Sequence, residues 1–361
     1  MVLPHTPARV LLQASVTAAS GTPSPLIAIA LAGVGSPVSS TVGQFLWAGQ
    51  PIIKHALPLN LFKCTLASGL FAIVLGVQLC AGRALATISP AVLGWLVLSA
   101  FFGIVIGDVM WLRAIELLGP VNCIMLGSFQ PLISACFGWL FLGQTLPSGA
   151  LIGVLFISVG LALPWLKSWL PRASLASLDA GAAASRDVEV AGAKAVTSKA
   201  QPSARRWVLG AMLQLFNVLA DSVGSVITRR HGVGLSTWQI NLVRFGSSGV
   251  LLTLFFLLTR LVARVRTRTP PAFARFPEQS RHAWTLTSAG VLLVTFAAPA
   301  MGNVALFGLP LGAWQALTAT SPLWTLPVMI WLEKRRPEAH EVARALIVAA
   351  GAVLVSWAVH H

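Results

Sequence analysis

The chain reads as an all-α membrane protein: ten transmembrane helices in two inverted five-helix repeats around a central cavity. Three observations predict this. First, the 361 residues are 56% hydrophobic and only 10% charged, with a mean hydropathy of +0.80. Soluble domains carry about a quarter charged residues, so a water-facing surface cannot be built from this composition. Second, the apolar residues gather in runs of about 20, the length that crosses a bilayer as a helix. The runs lack the two-residue alternation of barrel strands. Third, a phrase is written twice. "SFQPLISACFGWLFLGQTLP" at 128–147 and "TATSPLWTLPVMIWLEKRRP" at 318–337 each hold an early proline, an apolar run, a polar knot and a second proline.

The spans fall near 26–50, 59–82, 91–117, 121–142, 148–166, 207–228, 238–259, 284–307, 311–332 and 341–359. The first is the weakest, because Ser36, Pro37, Ser39, Ser40 and Thr41 dilute it. Residues 1–25 read as a disordered tail, with a weak signal or transit segment as the alternative. Residues 167–206 are rich in Ala and Ser with scattered charge and read as a flexible linker. The linker divides the chain into a first repeat, 26–166, and a second, 207–361.

The echo closes both repeats. Pro131 matches Pro322, Gly160 matches Gly351, and the interval is 29 residues each time. Upstream, "IGDVMW" resembles "MGNVAL" after a gap of about four residues, close to one helical turn, which sets Asp108 opposite Asn303. Five crossings are an odd number, so the second copy enters from the other side. Such inverted repeats are a transporter architecture.

The net charge of +15 does not point to nucleic acid, because the basic residues sit mostly in connectors such as "RLVARVRTRTP". Cys64, Cys80, Cys123 and Cys136 all fall inside expected spans without a metal-type cluster, and read as small packing residues. With no Tyr in the chain, Trp must supply any interfacial belt. No catalytic constellation, metal site or Walker-type phosphate loop is visible, so neither an enzyme nor a cofactor is expected, and a membrane-embedded enzyme or a non-transporting scaffold or receptor is the alternative to a transporter. The partners expected are a small-molecule substrate and the lipid bilayer, with a homodimer left open.

The echoed segments resemble the EamA type of the drug/metabolite transporter superfamily. In the second half this rests on "SPLWTLPVMIWLEKRRPEAHEVARALIVAAGAVLVSW", with Glu333 at the family's glutamate, and on Arg244–Phe245 in "NLVRFGSSG". In the first half, Gln144 stands at the glutamate position and Lys63, in "NLFKCTLASG", at the arginine position. Arg344 stands where the family tends to a glycine. The resemblance implies a ten-helix fold with a central cavity and transport of small molecules, without fixing the substrate.

Polar groups inside spans point to a site, because an ionisable residue in hydrocarbon must be paired or wetted. Asp108 lies eleven residues before the Gly119–Pro120 turn, roughly 16 Å into the membrane. It can bind a cation or amine, relay a proton, or pair with a basic group on a neighbouring helix. Asp221 lies about 12 Å inside Arg229, and Asn217 sits one turn away on the same face. Arg244 and Lys63 can clamp an anion or snorkel to the interface. Asn303 can be a ligand or interhelical glue. Gln130, Asn122 and Gln315 offer amides to a substrate. Pro131 and Pro322 read as bends, Arg113 and Glu116 as a mutual pair, and Glu333 as a solvated connector.

Orientation is a conflict within the sequence. The family keeps both termini in the cytoplasm, yet connectors after odd-numbered spans hold eighteen Lys and Arg against four on the other side. The positive-inside rule applied to that count puts both termini outside.

Overall fold

The structure is a computed structural model that describes residues 24–48, 50–118, 126, 127, 129–169, 204–266, 269, 271–328, 330, 331, 334, 337 and 339–360. The tail expected over 1–25 falls almost wholly outside these residues. So does most of the linker, since helix continues to Trp169 and resumes at Ala204.

Among the described residues all regular structure is helical. Helix α1 runs through Pro25–Ala30, a π segment Leu31–Gly35 and Ser36–Ala48. Helix α2 is Ala56–Cys80. Helix α3 joins Pro90–Ala100, a π segment Phe101–Gly107 and Asp108–Leu118. Gln130–Leu142 is α4, Ser148–Trp169 is α5, Ala204–His231 is α6 and Thr237–Val265 is α7. Helix α8 joins Arg281–Val291, a π segment Leu292–Ala297 and Ala298–Gly308. Helix α9 comes in two halves, Leu311–Thr318 and Ser321–Val328, and α10 is Ala339–His360.

Local chemistry sets the ends. Ser24, Ser89 and Ser280 each cap a helix by accepting a backbone N–H with the side-chain oxygen, two of them just before a proline at the first helical position. Ser236 and Gln239 form a reciprocal capping box at the start of α7. Helix α4 stops at Gly143, whose φ of 63° lies in the left-handed region that glycine enters without strain.

Among the described residues, seven helices are long and apolar enough to cross a membrane: Pro25–Trp47, Ala56–Cys80, Pro90–Ala114, Arg205–His231, Thr237–Val265, Arg281–Gly308 and Glu341–His360. The weak first span is among them. Of the three other expected spans, the fourth is described only in part, the fifth is a shorter apolar helix over Ser148–Gly160, and the ninth is broken at Ala319 and Thr320, which form a turn. Pro322 therefore begins a helix after this break, and Pro131 stands in the first turn of α4, where the missing N–H removes no helical bond.

The surface is the reverse of a soluble protein's. Ile73, Val77, Leu254, Leu258, Leu346, Val353 and Trp357 are exposed, whereas Asn60, Lys63, Ser99, Asn241, Ser248 and Asn303 are buried. Cys64 is buried as expected of a packing residue, but Cys80 and Cys136 lie on the exposed surface, and Cys123 is outside the described residues.

Helix α2 packs along α7, α5 along α10, α3 along α6 and α1 along α8. Close approach depends on glycine. A Cβ on Gly153 of α5 would lie 2.6 Å from the Gly351 carbonyl of α10, and a Cβ on Gly351 would lie 2.7 Å from the Gly153 carbonyl. Gly43 of α1 and Gly290 of α8 meet in the same way, each Cβ position lying 2.8 Å from the other's carbonyl. Small residues let membrane helices touch backbone to backbone, where dispersion replaces the hydrophobic driving force.

Gly153→Val forces α5 from α10 and is expected to lower stability by about 1–3 kcal/mol, as overpacking does. Gly76→Ala, which meets nothing within 4 Å, is expected to leave thermal unfolding in detergent unchanged. Equal melting temperatures for the two variants would contradict the backbone contact.

Candidate functional site

Four ionisable side chains converge inside the bundle from four helices. Lys63 of α2 is 6% exposed. Its Nζ donates to Oδ2 of Asp108 on α3 at 2.5 Å, in the one salt bridge among the described residues. Lys63 therefore does not snorkel; it lies buried against the acid. Asp221 of α6 accepts a 2.5 Å hydrogen bond on Oδ2 from Nε2 of Gln130 on α4. Arg244 of α7 reaches toward Asp221 across Gly103 of α3. A Cβ on Gly103 would lie 3.3 Å from Arg244 Nη2 and 3.6 Å from Asp221 Oδ1. Those two atoms are therefore no more than 6.9 Å apart, while no ion pair of 4.0 Å or less joins them. Asp108 is near enough to both to interact with them electrostatically.

The resulting site has two acids and two bases. One acid–base pair is closed. The other is open by a gap that a small polar group or water can bridge, and the buried Arg244 Nε has no hydrogen-bond partner among the described residues. A guanidinium offers five donors and suits a carboxylate or phosphate, while Asp221 Oδ1 is left to accept.

The π segment of α3 positions the acids. A π turn leaves carbonyls without their usual helical partner, and two asparagines take them. Asn60 of α2 donates to the Ile104 carbonyl at 3.0 Å, and Asn217 of α6 donates to the Gly107 carbonyl at 2.9 Å. Asn217 thus holds α3 to α6 beside Asp108. The π segment of α1 is held similarly, with the Gly33 carbonyl accepting from Thr320 Oγ1 and Trp324 Nε1 of the ninth span.

Asn303 belongs elsewhere. It is buried, and its Nδ2 donates to Asn241 Oδ1 at 2.6 Å. Asn241 in turn donates to Thr237, whose hydroxyl donates to the Ala300 carbonyl. This chain ties α7 to α8, the part of interhelical glue. Gln315 is buried in the first half of α9, makes no hydrogen bond to the four charges, and has an Oε1 without a partner among the described residues. Asn122 and Glu333 lie outside the described residues, as does the Glu116 side chain. Gln144, at the family's glutamate position, accepts from the Leu311 N–H at 2.8 Å and so fastens the start of α9. Sequence reasoning missed Asn60 and Gln214. The spacing of Asn60 to Lys63, and of Gln214 to Asn217 and Asp221, places each set on one helix face and was the signal available.

Together, the apolar exterior, the seven long apolar helices and the buried polar interior define an integral, multi-pass membrane protein. Residues 16–165 match the model of the EamA-like transporter family, which bears out the family resemblance over the first half of the chain. The match holds although Lys63 and Gln144 depart from the family pattern there. No curated protein matches the chain. A solved structure described only as "Crystal structure of protein" shares the fold at a TM-score of 0.55, with 16% identity over 97% of this chain and 96% of that one.

Removing one partner of the buried Lys63–Asp108 pair is expected to destabilise by about 3–5 kcal/mol, because the other charge is left uncompensated. Lys63→Met combined with Asp108→Leu is expected to recover most of that loss in thermal unfolding. A double variant as unstable as the sum of the singles would show that the pair does not act as a unit.

Proposed function

We propose that the protein is a secondary transporter that moves a small polar metabolite by alternating access, through exchange or proton coupling, in a ten-span fold of two inverted five-helix repeats. The observation that carries this is the four-charge cluster inside an apolar bundle. Ionisable residues at such depth are functional far more often than structural, because each is expensive to keep there. The EamA-like match supports the transport reading.

The packing supports the repeat. Exchanging each helix for the one five places on turns α3 against α6 into α8 against α1, maps α2 against α7 and α5 against α10 onto themselves, and turns α4 against α6 into α9 against α1. The π segments of α3 and α8 exchange too. The break before Pro322 supplies an interrupted helix, a recurrent feature of binding sites in transporters.

In this reading Arg244 and Asp221 hold the two ends of a polar solute, or Asp221 carries the coupling proton while Arg244 holds an anionic group. Lys63 holds Asp108 in place through their ion pair. Gln130 and Asn217 set the position of Asp221 and of the α3 bend.

A panel of small polar metabolites, screened by thermal stabilisation of the purified protein, is expected to yield a stabilising compound. Its uptake or exchange in proteoliposomes is expected to fall by about tenfold or more in Asp221→Asn, Asp108→Asn and Arg244→Gln, each of which removes a charge that contacts or orders the solute. Arg83→Gln, on an exposed connector, is expected to transport normally. A panel without a single shift, together with proteoliposomes that move none of its members, would remove the transport reading.

A further inference from the structure

Helices α2, α3 and α7 leave a groove of about 500 Å³ between them, a volume within the roughly 300–1,000 Å³ of ligand pockets. Half-buried Ser68, Val97, Val243, Gly246 and Ser247 form its floor, and exposed Gly69, Leu93 and Val250 form its rim. A Cβ on Gly69 would meet nothing within 4 Å, so this stretch of α2 faces open space. The Gln239 amide at the start of α7 donates to the Ala86 carbonyl in the connector from α2 to α3. The end of α2 and the starts of α3 and α7 therefore lie on one side of the membrane. From Leu242 to Val250 the groove runs along α7 for about 12 Å.

Two observations say what fills it. The groove is continuous with the lipid-facing exterior, since Ile73 and Leu254, one turn beyond the rim on α2 and α7, are exposed apolar side chains. Its hydroxyls are also already engaged. Ser68 Oγ donates to the Thr65 carbonyl at 2.9 Å and Ser247 Oγ to the Arg244 carbonyl at 3.2 Å, each within its own helix. A hydroxyl used in this way has no donor left for a polar solute. The chemistry of the groove therefore selects hydrocarbon, and the hydrocarbon that surrounds a membrane protein is the acyl chain of a lipid.

The other face of the α2–α7 pair shows what the groove lacks. The alignment that sets Lys63 opposite Arg244 also sets Phe62 opposite Val243, Thr65 opposite Gly246 and Leu66 opposite Ser247. Phe62 and Leu66 pack toward α8 in an apolar cluster with Val291 and Val294, and the Phe62 ring centroid is 5.0 Å from that of Trp284. Where α7 meets α3, the matching junction, three smaller residues stand in their places and the space stays open. A chain lying in such a groove touches protein on more than one side. Each added pair of atoms gains about 0.1–0.2 kcal/mol of dispersion over a chain on a flat surface.

We propose that the groove is a binding site for one acyl chain of a bilayer lipid, held in the half of the membrane nearer the α2–α3 connector. The chain packs against α7 as Phe62 and Leu66 pack on the opposite face. It rests on the turn of α7 that carries Arg244, because Ser247 is bonded to the Arg244 carbonyl. The comparison of the two faces rests on the two-repeat reading. The groove and its apolar character do not depend on transport or on any substrate.

The test reconstitutes the full-length chain into phosphatidylcholine vesicles in which some lipid carries a photoreactive diazirine midway along one chain. The vesicles are dissolved in mild detergent with excess unlabelled phosphatidylcholine and irradiated at intervals, and adducts are mapped by peptide mass. Adducts at Ala72, Val97 and residues 242–250 are expected to outlast those at the exposed Leu346 and Val353 of α10 by about tenfold or more in time, since a bound chain leaves slowly. Val243→Phe with Ser247→Leu gives α7 the residues of α2. It is expected to abolish the slow adducts while the melting temperature holds or rises. Gly69→Leu, which fills the groove from the other wall, is expected to do the same and serves where the double variant fails to fold. Groove adducts that vanish as fast as those on α10, or that persist in a folded filled variant, would overturn the site. Ala72→Cys, with Cys64, Cys80, Cys123 and Cys136 replaced by Ala, is expected to stay monomeric under oxidation in vesicles. A disulfide-linked dimer would overturn the lipid in favour of a second copy of this chain. Slow groove adducts on a protein that transports no metabolite would overturn the transport reading and leave the site standing.

Discussion

The fold is organised by the cost of a charge in hydrocarbon. Lys63 and Asp108 sit on different helices, and neither is tolerable alone at that depth. Their 2.5 Å contact joins α2 to α3, and removing either partner alone would leave the other charge uncompensated. Asn60, one turn before Lys63, reinforces the same junction by taking the Ile104 carbonyl. Arg244 stands in contrast. It has no closed partner, yet Asp221 and Asp108 are close enough to make its charge tenable. In the proposed transport reading, the open acid–base pair is the one that a solute would complete.

The π segments show how the backbone serves this arrangement. Each widens one turn and releases carbonyls, and in α1 and α3 the described structure shows side chains from other helices collecting them: Thr320 and Trp324 on Gly33, Asn60 on Ile104, Asn217 on Gly107. The irregularity is thus a joint and a bend at once. In α3 it also delivers Gly103 and Gly107 to the face opposite Asp221 and Asn217, where a side chain would block approach.

Much of this was legible in the sequence, for identifiable reasons. Membrane class follows from composition, since no rearrangement hides so few charges. Asp108, Lys63, Asp221 and Arg244 could be picked singly because an ionisable residue in an apolar run is rare. Their pairing could not be read, because it depends on helix rotation, which apolar runs leave undetermined when both faces are hydrophobic. The repeat alignment set Asp108 opposite Asn303, but depth did not reveal that Asn303 joins Asn241 while Asp108 joins Lys63. The π segments carry no sequence mark: "FFGIVIG" and "LLVTFA" read as ordinary helix. Their effects on Asn60 and Asn217 were hidden with them.

Helix α6 is where these constraints meet. Its polar face runs along the α3 bend and ends at the acid opposite Arg244. The contact of Gly210 with Leu118 and the hydrogen bond of Asn217 to the Gly107 carbonyl both join α6 to α3. Asp108 begins the last segment of α3, directly after Gly107. The Gly107 carbonyl held by Asn217 and the Asp108 carboxylate held by Lys63 are thus on consecutive residues, so α2, α3 and α6 meet at one point.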